Sequence, residues 1–225
     1  MPLIAKDPFL FNVSMVLTQL TGLKAYNLKE FVAILKRLDE STIFTHTLLR
    51  RNQDLNDFAR WVGEVVTEPE LSEKIAALSL WDFHDLIEWR DQVVRLIEEH
   101  LNRVNFIRSA PPGEEFYFLR SVAVISKTGE SASTVGELAQ KIKTISEATL
   151  FYHFFEARFR LKKRTNDFSN WLEVVLGQTK LADEISALDP YSLSLDELRK
   201  RITKILEPKG FTWFGLGAKQ SGGQK

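Results

Sequence analysis

The chain has 225 residues, 30 basic and 30 acidic side chains and no cysteine, which excludes disulfides, thiol catalysis and thiolate metal sites. A hydrophobic share of 44% beside 27% charged residues describes a globular chain and not a disordered one. No run reaches the roughly 18 apolar residues of a membrane span, and Met1-Pro2-Leu3-Ile4-Ala5-Lys6-Asp7 lacks the form of a signal peptide, so a cytoplasmic protein is expected.

Phe9–Leu20 comes first and is ambiguous, because its Phe, Val and Leu residues suit a strand or a short helix. Its neighbours are all helical in pattern, so it reads as helix. Asn27-Leu28-Lys29-Glu30 then opens a helix as a capping box in its Asn form, followed by Leu28, Phe31, Ile34, Leu35 and Leu38 at helical spacing. A second helix runs through Thr42–Arg51 and a third starts after Asn56. Leu71, Ile75 and Leu78 mark a short fourth, and Leu86, Trp89, Val93, Leu96 and Ile97 mark the longest.

The same order then returns. Residues 9–46 align without gaps to 116–153, residues 56–83 to 166–193, and residues 86–97 to 195–206. Roughly 24 of about 78 aligned positions are identical, concentrated in Asn-Asp-Phe-x-x-Trp and in the Thr-Gly pairs 21–22 and 128–129. A period of about 108 residues is too long for a solenoid unit, so each copy reads as a whole domain. The expected fold is all-α: a helical domain over 1–107, a linker over 108–115, a second helical domain over 116–208, and a Gly/Lys/Gln-rich tail over 209–225. Ala110-Pro111-Pro112-Gly113-Glu114 makes that linker stiff. The copy of the ambiguous segment, Phe116–Lys127, is read as helix like the original.

Chemistry-bearing residues are few. His46 and His153 are equivalent, each in an aromatic setting, and the bland reading is a buried imidazole tying a helix to a neighbour. Asn56 and Asn166 are natural helix caps, and Trp61 and Trp171 fit a core face. His46, Asn56, Asp57 and Trp61, with His153, Asn166, Asp167 and Trp171, nevertheless form a candidate ligand pocket in each domain. Arg158, Arg160, Lys162, Lys163 and Arg164 are the densest basic stretch, a candidate nucleic-acid or anion contact set against a solvated face. Phe211, Trp213 and Phe214 give the tail an aromatic patch that either docks on its own domain or serves a partner. His153 and Glu156 have metal-ligand spacing, but Leu49 stands opposite Glu156 in the first copy, so no metal and no cofactor is expected. No nucleophile elbow and no phosphate-binding Gly loop is found, so no catalytic residue is assigned.

The halves carry roughly −4 and +4 charges, which could favour their docking or head-to-tail association of chains. The ordered set (Thr-Gly, capped helix, aromatic-His, Asn-Asp-Phe-x-x-Trp, Leu-x-x-x-Ile-x-x-Leu, final Leu-x-x-Trp/Leu-Arg helix) resembles the prokaryotic domain-of-unknown-function family 5752, in two tandem copies over about nine-tenths of the chain. The resemblance implies a bacterial or archaeal cytoplasmic protein and carries over no catalytic residue. The first copy has Phe44-Thr45 before its His where the second has Phe151-Tyr152. The expectation is a non-catalytic binding or adaptor protein that recognises a protein partner or a small ligand, with a protein partner or self-association as the expected association. A small-molecule or enzymatic pocket is the first alternative and nucleic-acid binding the second.

Overall fold

The computed structural model describes residues 3–50, 55–161, 165–189 and 193–207. Phe9–Ala25 forms a 17-residue strand, β1, and Phe116–Ala132 a second of the same length, β2. They pair antiparallel as one two-stranded ribbon. This overturns the all-α expectation and the reading of both segments as helix. The local argument failed because neighbouring helices say nothing about a pairing partner in the other half of the chain. The β-branched and aromatic residues Phe9, Phe11, Val13 and Val16, and Phe116, Phe118, Val122, Val124 and Ile125, follow strand propensity instead.

The register relates the two halves. Val16 faces Ala123, the position to which it aligns, and Asn12↔Lys127 mirrors Leu20↔Leu119 about that pair. Both irregularities, between Leu10 and Asn12 and between Leu20 and Lys24, are mirrored too. At each, a Thr hydroxyl donates across the ribbon, Thr21 Oγ1 to the Phe118 carbonyl at 2.7 Å and Thr128 Oγ1 to the Phe11 carbonyl at 2.8 Å. The following Gly22 and Gly129 have φ of 79° and 82°, a left-handed conformation that Gly adopts without a Cβ penalty.

The helices of the first half are α1 (Leu28–Leu35), α2 (Glu40–Phe44), α3 (Asp57–Arg60), α4 (Pro69–Ala76) and α5 (Leu86–Leu101). Those of the second are α6 (Val135–Thr144), α7 (Glu147–Phe151), α8 (Ala157–Leu161), α9 (Asp167–Val174), α10 (Thr179–Ser186) and α11 (Leu195–Leu206). Their starts follow the caps. Asn27 accepts from the Lys29 and Glu30 amides while Glu30 takes the Tyr26 amide. Thr134 and Glu137 make the same box in the second half, and Ser194 caps α11. After α2 the helix widens into a π-helical turn, Thr45–Leu49, and after α7 into another, Tyr152–Glu156.

The apolar interior is divided across the two halves in a crossed fashion. Phe31, Leu35, Ile43, Phe58, Ile75 and Trp89 of the first half pack with Phe116 and Phe118, the start of β2. Ile142, Leu150, Phe154, Phe168, Ile185 and Ile202 of the second pack with Phe9 and Phe11, the start of β1. Each strand therefore begins in the opposite core and ends in its own, at Ala25 and Ala132. Leu48 and Phe151 pack against both clusters.

Candidate functional site

Each histidine sits where a π-helical turn meets the incoming strand of the other half. His46 Nε2 accepts the Leu119 amide of β2 at 2.8 Å, and His153 Nε2 accepts the Asn12 amide of β1 at 2.8 Å. Leu119 is aligned with Asn12, so the two contacts match. On the other side of the ring, His46 Nδ1 lies 2.9 Å from Asp57 Oδ2 and His153 Nδ1 lies 2.7 Å from Asp167 Oδ2. A strand amide that donates to Nε2 fixes the neutral imidazole, with its proton on Nδ1 facing the carboxylate. Both histidines are buried, and each packs against the entering Phe at 4.8 Å between ring centres, Phe116 for His46 and Phe9 for His153.

Asp57 holds the first cluster together. It receives hydrogen bonds from His46, from Arg50 Nε at 2.6 Å and from Arg60. Burial works to raise its carboxyl, but the His46 and Arg50 bonds outweigh burial and hold it below the usual carboxylate range. Burial pushes the His46 imidazole below its ordinary value, against the pull of the Asp57 carboxylate. In the second half Arg160 Nη2 lies 2.7 Å from Asp167 Oδ2, and Asn170 stands where Arg60 stands in the first. The Arg160 guanidinium also lies 4.3 Å from the centre of the Tyr152 ring.

The remaining candidate residues secure the same junctions. Asn56 and Asn166 cap α3 and α9, accepting from Ala59 and Ser169 amides at 2.9 Å each. Trp61 Nε1 donates to the Glu114 carbonyl and Trp171 Nε1 to the Asp7 carbonyl, both at 2.9 Å. Those carbonyls belong to the segments leading into β2 and β1. So the eight candidate ligand residues do converge, four in each half, around the entry of a foreign strand. A cleft of about 250 Å³ opens beside the first cluster, lined by Arg50, Asp57, Arg60, Trp61, Glu115 and Tyr117 among others.

Of the basic stretch, Arg158 and Arg160 do not form a shared solvated face. Arg158 is buried, with Nη2 donating to the Phe83 carbonyl of the other half at 2.8 Å, and Arg160 is spent on Asp167. Lys162, Lys163 and Arg164, and the tail residues Phe211, Trp213 and Phe214, lie outside the described residues. Among the described residues no group of three or more His, Asp or Glu side chains is placed to hold a metal ion. No helix among them is long and apolar enough to cross a membrane.

Arg50 and the Leu119 and Asn12 amides escaped the sequence reading, and Arg160 was read there only as part of the basic stretch, not as the partner of Asp167. The arginines carried a signal, since each precedes its Asp by seven residues in both copies. The amides carried none.

Comparison with known proteins bears on the whole of this framework. A family model described as a family of unknown function, DUF5752, matches residues 6–207. The solved structure of OrfY from Thermoproteus tenax is similar with a TM-score of 0.80 and 27% identity, covering 90% of this chain and 95% of that one. No curated protein matches.

Proposed function

We propose that this chain, which belongs to the DUF5752 family, is a non-catalytic protein-binding module built from two tandem copies of one unit. The observation that carries the reading is the outer face of the ribbon. Side chains alternate along a strand, so Ser14, Val16 and Ser121 turn toward the helices, where Ser121 Oγ donates to the Ser41 carbonyl. Met15, Leu17, Val122 and Val124 turn the other way. They form the cross-strand pairs Met15↔Val124 and Leu17↔Val122 about the Val16–Ala123 position. Their exposures are 67%, 51%, 38% and 51%. Four exposed aliphatic side chains paired across one face of the ribbon favour an apolar protein surface as the occupant. The arrangement offers a partner two related pairs of anchors, which suits a partner with two equivalent contact surfaces.

The His-Asp clusters serve the framework in this reading. A general base needs a free lone pair within reach of a substrate proton, and each Nε2 already holds a strand amide. A small-molecule site beside Asp57 is the second reading, favoured by the cleft there and by its two half-exposed arginines.

The deciding experiment compares the wild-type chain with Met15→Glu/Val124→Glu as baits in extract from the native cell, with native mass spectrometry of the eluates. A stoichiometric protein held by the wild type and lost from the variant supports the reading. A partner held equally by both, or no partner at all, sinks it. A retained small mass lost on Arg50→Ala or Arg60→Ala transfers the weight to the cleft.

A further inference from the structure

Another cleft, of about 350 Å³, opens where the two halves meet. Its setting follows from a length difference between them. Asn166 stands thirteen residues after His153, while Asn56 stands ten after His46. The longer stretch lets the second half continue past its π-helical turn as α8, which carries Arg158 and Phe159. Both side chains are spent on the first half. The Phe159 ring meets Phe44 edge-on with 5.4 Å between centres, and Arg158 Nη2 reaches the Phe83 carbonyl, just ahead of α5. An aromatic ring and a guanidinium thus cover the path from Phe44 to the start of α5.

In the first half the π-helical turn ends at Leu49, and Arg50 already bonds Asp57. The path that matches the covered one runs from Phe151, aligned with Phe44, to Leu195, aligned with Leu86 at the start of α5. Both residues line the cleft, with Leu49 of the first half and Val16 of the ribbon as further apolar wall.

The wall is not apolar throughout. Glu156 lines the cleft, at the position where the first half has Leu49. Burial holds its carboxyl above the usual range, and the Ser14 hydroxyl and the Arg160 charge offset only part of that. Arg160, the one cation acting on it among the described residues, is bonded to Asp167. Glu147 is a second acid of the lining, and none of the described lining residues is basic. A carboxylate drawn partly out of water without a bonded cation is an unmet demand. The covered path of the first half shows what this geometry accepts, a ring beside a cation.

We propose that the cleft binds a small organic cation, a protonated amine or guanidinium on an aromatic or aliphatic body, with Glu156 as its counter-ion. The charge meets the Glu156 carboxylate while the body lies on Phe151, Val16 and Leu49, and the two acids repel anions. This proposal stands apart from the ribbon-face reading, because Ser14 and Val16 lie on the opposite face of β1 from Met15 and Leu17.

Phenethylamine is the probe, with 2-phenylethanol as its neutral match and 3-phenylpropionate as its anionic one. Titrated into the isotope-labelled full chain near neutral pH, the amine should bind once per chain with about millimolar affinity or tighter. Amide shifts should centre on residues 14–16, 48–49, 147–156 and 195. The alcohol and the carboxylate should each bind roughly tenfold more weakly or worse. Glu156→Gln keeps the size of the side chain, and it should weaken the amine by roughly tenfold and erase its advantage over the alcohol. Ala148→Phe, at an exposed position of the lining, should block the amine while melting as the wild type does. Equal affinity for amine and alcohol in the wild-type chain would overturn the proposal, as would undiminished amine binding in Glu156→Gln. Shifts centred on Arg50, Asp57 and Arg60 would overturn it by placing the amine in the other cleft. The absence of saturable amine binding would overturn it outright.

Discussion

A buried imidazole that accepts one strand amide and faces one carboxylate is a latch with no spare valence. Removing it by His46→Ala strands the Leu119 amide and takes away one of three partners of a buried Asp57. Leaving a buried donor unmatched costs about 1–3 kcal/mol, and disturbing a buried ionic cluster adds to that. His46→Ala and His153→Ala should each destabilise the chain by about 3 kcal/mol in urea unfolding, whatever ligand is present. The same latch sets a pH dependence. The folded imidazole of His46 binds its proton less readily than the unfolded chain does, so its contribution is complete above about pH 6.5 and declines as pH falls below that value. The lowered carboxyl of Asp57 contributes fully above about pH 3.9 and is lost as pH falls further, so both act in the same direction. Thermal midpoints should fall between pH 7.5 and 5.5, and His46→Gln should flatten that slope. An unchanged slope in the variant would remove His46 from the account. In the sequence these residues were visible only as repeated types. Asp57 stands eleven residues from His46, and Leu119 stands seventy-three from it. No local pattern could reveal that a strand of the other half supplies the amide proton.

At the scale of elements, the helix starts were legible and the strands were not. Asn27 with Glu30, Thr134 with Glu137 and Ser194 with Glu197 announce their helices because a cap and its box are satisfied within four residues. The strands satisfy their amides about a hundred residues away, so the Phe9–Phe11 and Phe116–Phe118 alternations were too short to decide alone. The two Thr-Gly pairs, which suited a helix end or a turn, are the ribbon bulges. Their glycines meet no atom within 4 Å at a Cβ position, so a substitution there tests backbone conformation alone. Gly22→Ala and Gly129→Ala should each cost roughly 1–2 kcal/mol, the penalty for a Cβ in the left-handed region. Gly136→Ala, in the first turn of α6 with equal open space and no positive φ, should be neutral or stabilise by up to about 1 kcal/mol. Thermal melts of the three variants check the contrast. Equal effects would mean that the bulges carry no conformational demand.

For the whole molecule, the crossing of the strands is the controlling fact. The core of the first half is completed by Phe116 and Phe118, and that of the second by Phe9 and Phe11. Residues 1–107 expressed alone therefore lack two central aromatic side chains but retain a strand that carries the same Phe-x-Phe pair. That fragment should form a concentration-dependent homodimer, with β1 of each copy entering the other. Sedimentation equilibrium checks this, and a stable folded monomer would show that the crossing is dispensable. The sequence was read as two copies of one unit, but the exchange of strands between the halves leaves no mark on either half read separately.

The crossing also imposes an order on synthesis. When the ribosome has delivered the first half, its helices still lack the two rings that fill their centre, and β1 has neither a pairing strand nor a core to enter. The N-terminal segment must wait through the synthesis of roughly a hundred further residues, at about 5–20 residues per second, carrying exposed Phe9 and Phe11. A nascent chain of this protein cannot fold domain by domain. For several seconds it presents an apolar strand that a chaperone, or the emerging second half of a neighbouring chain on the same messenger, is free to take.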